Sequence, residues 1–141
     1  MKTPWHIWLI GALSLLWNAG GAFDYVMSQY APETYLAAAT PEQQAYYAGI
    51  PAWATVFWAL GVWGAVAGSL LLLARSRFAA LAFGISLIGL MANTTRLFAT
   101  AGAGAVDLLG KGNLAFTAVL IVVALGLWLY ARAMARMGVL R

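Results

Sequence analysis

Residues 51–77 read "PAWATVFWALGVWGAVAGSLLLLARSR", and the fold turns on how that run is understood. No charged side chain occurs from Pro51 to Ala74, and then Arg75 and Arg77 arrive almost together. A helix rises about 1.5 Å per residue and needs about 20 mainly apolar residues to cross the hydrocarbon core of a bilayer. This run is long enough, and the arginines stop it at once. It reads as a membrane span with a basic flank.

Composition agrees. The chain has 141 residues, 64% hydrophobic and only 9% charged, and its mean hydropathy is +0.84. A soluble domain carries roughly 25% charged residues, and so small a body has too little interior to hide this much apolar surface from water. Three more runs qualify as spans, at about 5–27, 78–100 and 114–132, beside the one at about 51–74. Lys2 followed by an apolar run imitates a secretion signal. That run continues past Ala22 without a small-residue cleavage site, so it reads as a retained span. Pro51 suits a first helical position, Asn113 an N-cap for the last span, and Gly138 the end of that helix. The whole chain, 1–141, is expected to form one domain: an all-α, integral-membrane, antiparallel four-helix bundle.

The basic residues give its direction. If the four helices alternate, Lys2, Arg75, Arg77, Arg132, Arg136 and Arg141 fall on one side, and only Lys111 and Arg96 on the other. Lys and Arg concentrate in cytoplasmic loops, so both chain ends are expected in the cytoplasm. The acids Asp24, Glu33, Glu42 and Asp107 then all lie outside, although they were not used in the assignment. The scattered cations argue against nucleic acid as a partner.

The outer segment between the first two spans contains "TPEQQAYYAG". Thr40 as N-cap, Pro41 at the first position, Gln43 closing a capping box and Gly49 as terminator predict a short helix lying on the outer surface. Tyr30, Tyr35, Tyr46 and Tyr47 suit the headgroup region, where a ring keeps one end wet. Such a helix would cap the bundle, or serve gating or partner contact.

Polar residues inside the spans supply the candidate site. Steps of three and four residues from Asn93 trace Ser86, Gly89, Asn93, Arg96 and Thr100 along the third span. The same steps trace Gly11, Ser14, Asn18, Gly21 and Tyr25 along the first, with Asp24 beside that line. Counting from Trp5 and Phe78, Asn18 and Asn93 stand at roughly 20 and 22 Å, and Asp24 and Arg96 at roughly 28 and 27 Å. A charge in the bilayer is costly and usually finds a partner. Two stripes at matching height therefore predict that spans one and three face each other, with an Asp24–Arg96 ion pair above Asn18 and Asn93. Asn18, Asp24, Tyr25, Asn93 and Arg96 form the expected polar site, which either locks the two helices or marks a ligand site. Gly21, Gly61, Gly64, Gly68 and Gly89 are the expected contact glycines. "GAVAG" in span two would allow close crossing within the chain or a homo-oligomer between copies. Trp17, Trp58 and Trp63 lie deeper than an interfacial belt requires and either pack or line an apolar pocket. A faint N-x4-F repeat, Asn18 to Phe23 and Asn93 to Phe98, hints at two parallel hairpins.

Other chemistry is missing from the chain. It has no cysteine and a single histidine, His6, so disulfides, thiolates, a Ser-His triad and paired haem ligands from one copy are excluded. No cluster has metal-ligand spacing. No cofactor and no catalytic residue are expected. Small multidrug transporters match in length and span count but carry a glutamate well inside helix one, where this chain's first acid is Asp24 at the outer end. Four-helix membrane thiol oxidoreductases need cysteines.

"GALSLLWNAGGAFDY", "PAWATVFWALGVWG" and "GSLLLLARSR" together resemble a family of small bacterial four-helix inner-membrane proteins that automated labels sometimes call sugar transporters. The resemblance covers most of the chain. It implies transport and supplies no functional residues to carry over. The expected function is a non-enzymatic inner-membrane protein that binds or transports a small solute or lipid. The alternative is an accessory or scaffolding subunit of a larger membrane complex.

Overall fold

The computed structural model describes residues 2–141, and the helices follow from the apolar runs. Helix α1 spans His6–Tyr30, and the short α2 (Pro32–Tyr35) and α3 (Pro41–Ala48) follow it. The second span is α4 (Ala52–Leu73) and the third is α5 (Phe78–Ala101). A single 3-10 turn and α6 (Ala105–Leu109) lead into the last span, α7 (Lys111–Arg136). The four long helices are apolar and long enough to cross a membrane. This is the all-α four-helix architecture that the apolar runs dictate, and α2 is an extra turn that its four-residue length concealed.

Local chemistry sets the helix ends. The capping box of α3 is present: Thr40 Oγ1 accepts from Gln43 N–H, and Gln43 Oε1 accepts from Thr40 N–H. Pro41 opens α3, and Gly49 closes it at φ −87° without a left-handed turn. Pro51 is the residue just before α4, where its carbonyl accepts from Ala54 and Thr55 N–H. Asn113 is not an N-cap. Gly110, at φ +81°, turns the chain and α7 begins at Lys111, so Asn113 lies one turn inside and donates its amide to Leu109 O.

Helix order differs from the expected facing of spans one and three. Helix α4 packs along both α1 and α5, and α5 packs along α7. Helices α1 and α7 meet through long side chains, His6 with Tyr130 and Trp17 with Phe116, the latter ring pair at 5.8 Å. The physical reason is the tight turn at residues 74–77, which forces α4 and α5 into an antiparallel hairpin. Their glycines then permit backbone approach. A Cβ on Gly64 would stand 3.1 Å from Ala82 O, and one on Gly89 would collide with Phe57 O. Gly61 faces Gly89 and Leu90, and Gly68 seats the Phe83 ring. The glycine motif of span two is therefore used within the chain. Gly21, by contrast, faces open space and holds no helix contact.

The best-packed core lies at the basic end, where Ile7, Leu72, Phe83 and Met134 are buried. Two helix ends are tied together there. Ser76 N–H reaches Leu71 O and Arg75 N–H reaches Leu72 O, which is the Schellman pattern. Arg75 occupies its left-handed position at φ +59°, where glycine is usual. Gly138, at φ +72°, closes α7 in the same way, with Val139 N–H on Met134 O. The tail then pairs with the first turn: Arg77 N–H donates to Arg141 O, and Arg141 N–H to Arg75 O at 2.7 Å. Val139 and Leu140 are buried in the process.

Candidate functional site

Toward the basic end, both polar stripes are contact faces turned toward α4, through Ser14 and Asn18 of α1 and Ser86 and Gly89 of α5. From α1, Asn18 Nδ2 donates to Ala65 O at 3.2 Å and to Ser69 Oγ at 3.0 Å. Ser14 Oγ lies 2.9 Å from the same Ser69 hydroxyl. From α5, Ser86 Oγ donates to Gly61 O. Residues 61, 64 and 68 occupy one side of α4, and 65 and 69 the next, which is how one helix serves both neighbours. Asn93 does not meet Asn18; its amide returns to Gly89 O one turn below. The buried Ser69 is the residue that the stripe reading missed. Its signal was a hydroxyl beside Gly68 in an otherwise apolar run.

No ion pair joins Asp24 and Arg96, so that expectation is corrected. Asp24 Oδ1 accepts from Tyr35 OH at 2.7 Å, and Arg96 Nη1 donates to Tyr46 OH at 3.0 Å. The Arg96 guanidinium also sits 5.0 Å from the Tyr46 ring centroid, with Nη2 on Gly49 O. With α4 between their helices, each charge turns upward to a phenol of α2 or α3. Donating to the Asp24 carboxylate raises the Tyr35 pKa to about 12, because a phenolate there would face a like charge. Burial first, then the Asp24 charge, raises that of Tyr47. Two measurements follow. Asp24→Asn should return the Tyr35 ionisation toward its ordinary value in a spectrophotometric base titration. The exchange Asp24→Arg/Arg96→Asp should show no rescue, with a double-mutant coupling within about 0.5 kcal/mol; a larger recovery would restore the ion pair.

Tyr25 brings the site together. Its ring stands 5.2 Å from Trp58 and 6.5 Å from Trp63, and Tyr47 stands 6.2 Å from Trp58. Tyr47, Trp58, Tyr25 and Trp63 thus form an aromatic wall running from α3 down α4. Two hollows lie along it. The upper one, of about 430 Å3, is of mixed character: Ser28, Gln29, Glu33, Gln44 and Tyr47 line it together with Pro32, Leu36, Ala48 and Ile50. The lower one, of about 290 Å3, is apolar, lined by Tyr25, Val56, Ala59, Leu60 and Trp63. Thr55 borders both. Each falls near the range of small-molecule sites, roughly 300–1,000 Å3. Val56, Leu60 and Trp63 are exposed, so the lower hollow opens on the side that lipid would cover.

Sequence reasoning found Tyr25 by its place on the stripe and Trp58 and Trp63 by their depth. It missed Glu33 and Gln44, because only the folding back of α2 and α3 brings them over α4. Among the described residues no group of three or more His, Asp and Glu side chains is placed to hold a metal ion. Comparisons with protein-family models, curated proteins and solved structures found no match.

Proposed function

We propose that the chain is a non-enzymatic protein of the bacterial inner membrane, with both chain ends cytoplasmic, and that it binds a lipid or lipid-like amphiphile at its acidic end. The observation that carries this reading is the junction at Thr55: a hollow carrying polar groups above and an apolar one below share an edge and a single aromatic wall. An amphiphile has the same division. From Thr55 to Trp63 the wall descends roughly 12 Å, enough for part of an acyl chain.

Binding is favoured over conduction through the bundle because Ile7, Leu72 and Phe83 fill the basic end. The opening leads sideways, toward the bilayer. Copies associating through α4 would have to use its exposed ridge of Leu60, Trp63 and Leu70, since the glycines already hold α5.

Filling the lower hollow tests the reading. Ala59→Trp should lower bound lipid about tenfold, roughly 1.4 kcal/mol, by native mass spectrometry of the detergent-solubilised protein, with helical content unchanged. Undiminished lipid on a folded variant would reject it.

A further inference from the structure

The upper hollow is one-sided in charge. Glu33 is its only charged lining residue. The Gln44 amide nitrogen is already given to Leu36 O and Ala39 O, at 3.1 and 3.2 Å, so what this side chain has left to offer is an acceptor oxygen. The basic residue beside α3, Arg96, is drawn elsewhere, held by the Tyr46 ring and Gly49 O. Adjacent tyrosines of α3 thus separate the charges: Tyr46 keeps the guanidinium, and Tyr47 lines the hollow. The Asp24 carboxylate also acts on Tyr47 from α1. What remains is a space with acceptor oxygens, an aromatic face and a negative field.

We infer that the upper hollow takes the ammonium head of a cationic amphiphile, paired with the Glu33 carboxylate and covered by the Tyr47 ring, while the tail lies against Trp63. Aromatic faces attract ammonium groups through the ring quadrupole, more strongly where water is displaced. A carboxylate in the same lining adds a full opposite charge. An anionic head would meet Glu33 and Asp24 with no cation in the lining. The inference rests on the amphiphile-binding reading above and adds the head chemistry to it.

The test uses the full-length protein in dodecyl maltoside micelles doped with three probes of equal chain length: dodecyltrimethylammonium, an uncharged dodecyl glycol ether and dodecyl sulfate. Native mass spectrometry reads probe occupancy. The ammonium probe should bind about tenfold more tightly than the ether, and the sulfate more weakly than either. Glu33→Gln should abolish the tenfold preference by weakening the ammonium probe to the level of the ether; as an exposed residue, Glu33 can be replaced without loss of the fold. Tyr47→Leu should weaken the ammonium probe severalfold. Equal affinity for ammonium and ether, preference for sulfate, or a preference that survives Glu33→Gln would overturn the head assignment while amphiphile binding stands. Failure of every probe to bind the folded protein would overturn both.

Discussion

Gly89→Leu should abolish the folded state or lower its stability by about 3 kcal/mol or more, whereas Gly21→Leu should not lower it and, through helix propensity, should raise it by up to about 1 kcal/mol. Without a hydrophobic drive between helices in lipid, close van der Waals packing and hydrogen bonds carry the association. A side chain on Gly89 meets Phe57 O and Gly61 N–H, which are backbone atoms that cannot rotate away. Relief requires α4 and α5 to separate, and the Ser86–Gly61 hydrogen bond goes with the contact. Overpacking ordinarily costs about 1–3 kcal/mol, and here a whole helix interface shifts. Gly21 faces open space, so its substitution has nothing to displace. Reversible unfolding in mixed micelles measures both, and similar losses at the two glycines would refute the packing order.

Removing residues 139–141 should destabilise the protein by about 3–5 kcal/mol. Val139 and Leu140 are buried at 3% and 4% exposure against Ile7, Leu72 and Phe83. Burying one such side chain contributes about 1.5–3 kcal/mol. The two main-chain bonds to the first turn, at 2.7 and 2.9 Å, add about 1 kcal/mol each in net terms; relaxation of the shortened chain offsets part of the total. The same measurement applies, and a loss below about 1 kcal/mol would mean that the tail merely rests on the bundle.

The spans were legible in the sequence because a membrane helix must be long, apolar and internally hydrogen-bonded. The capping box of α3 was legible because Thr40, Pro41 and Gln43 act on their own backbone. Asn18, Ser86 and Gly89 were correctly read as contact residues, since small and polar groups seldom face lipid. Their partner was not. Matching depth in two parallel helices says nothing of a third helix between them, and α4 carries small residues on two adjacent sides. The Asp24–Arg96 pairing failed for a related reason: a charge near the rim has phenols within reach, and the phenols lie on segments whose folding back follows no period. Glu33 and Gln44 escaped for the same cause.

Arg75 has a further consequence. Its left-handed backbone, at φ +59°, costs an L-residue about 1 kcal/mol that glycine would not incur. An engineer seeking a more heat-resistant variant would begin with Arg75→Gly. On the orientation proposed above, that same exchange deletes one of the cations that would hold the basic end in the cytoplasm. On that proposal, robustness and correct delivery are set against each other at a single position.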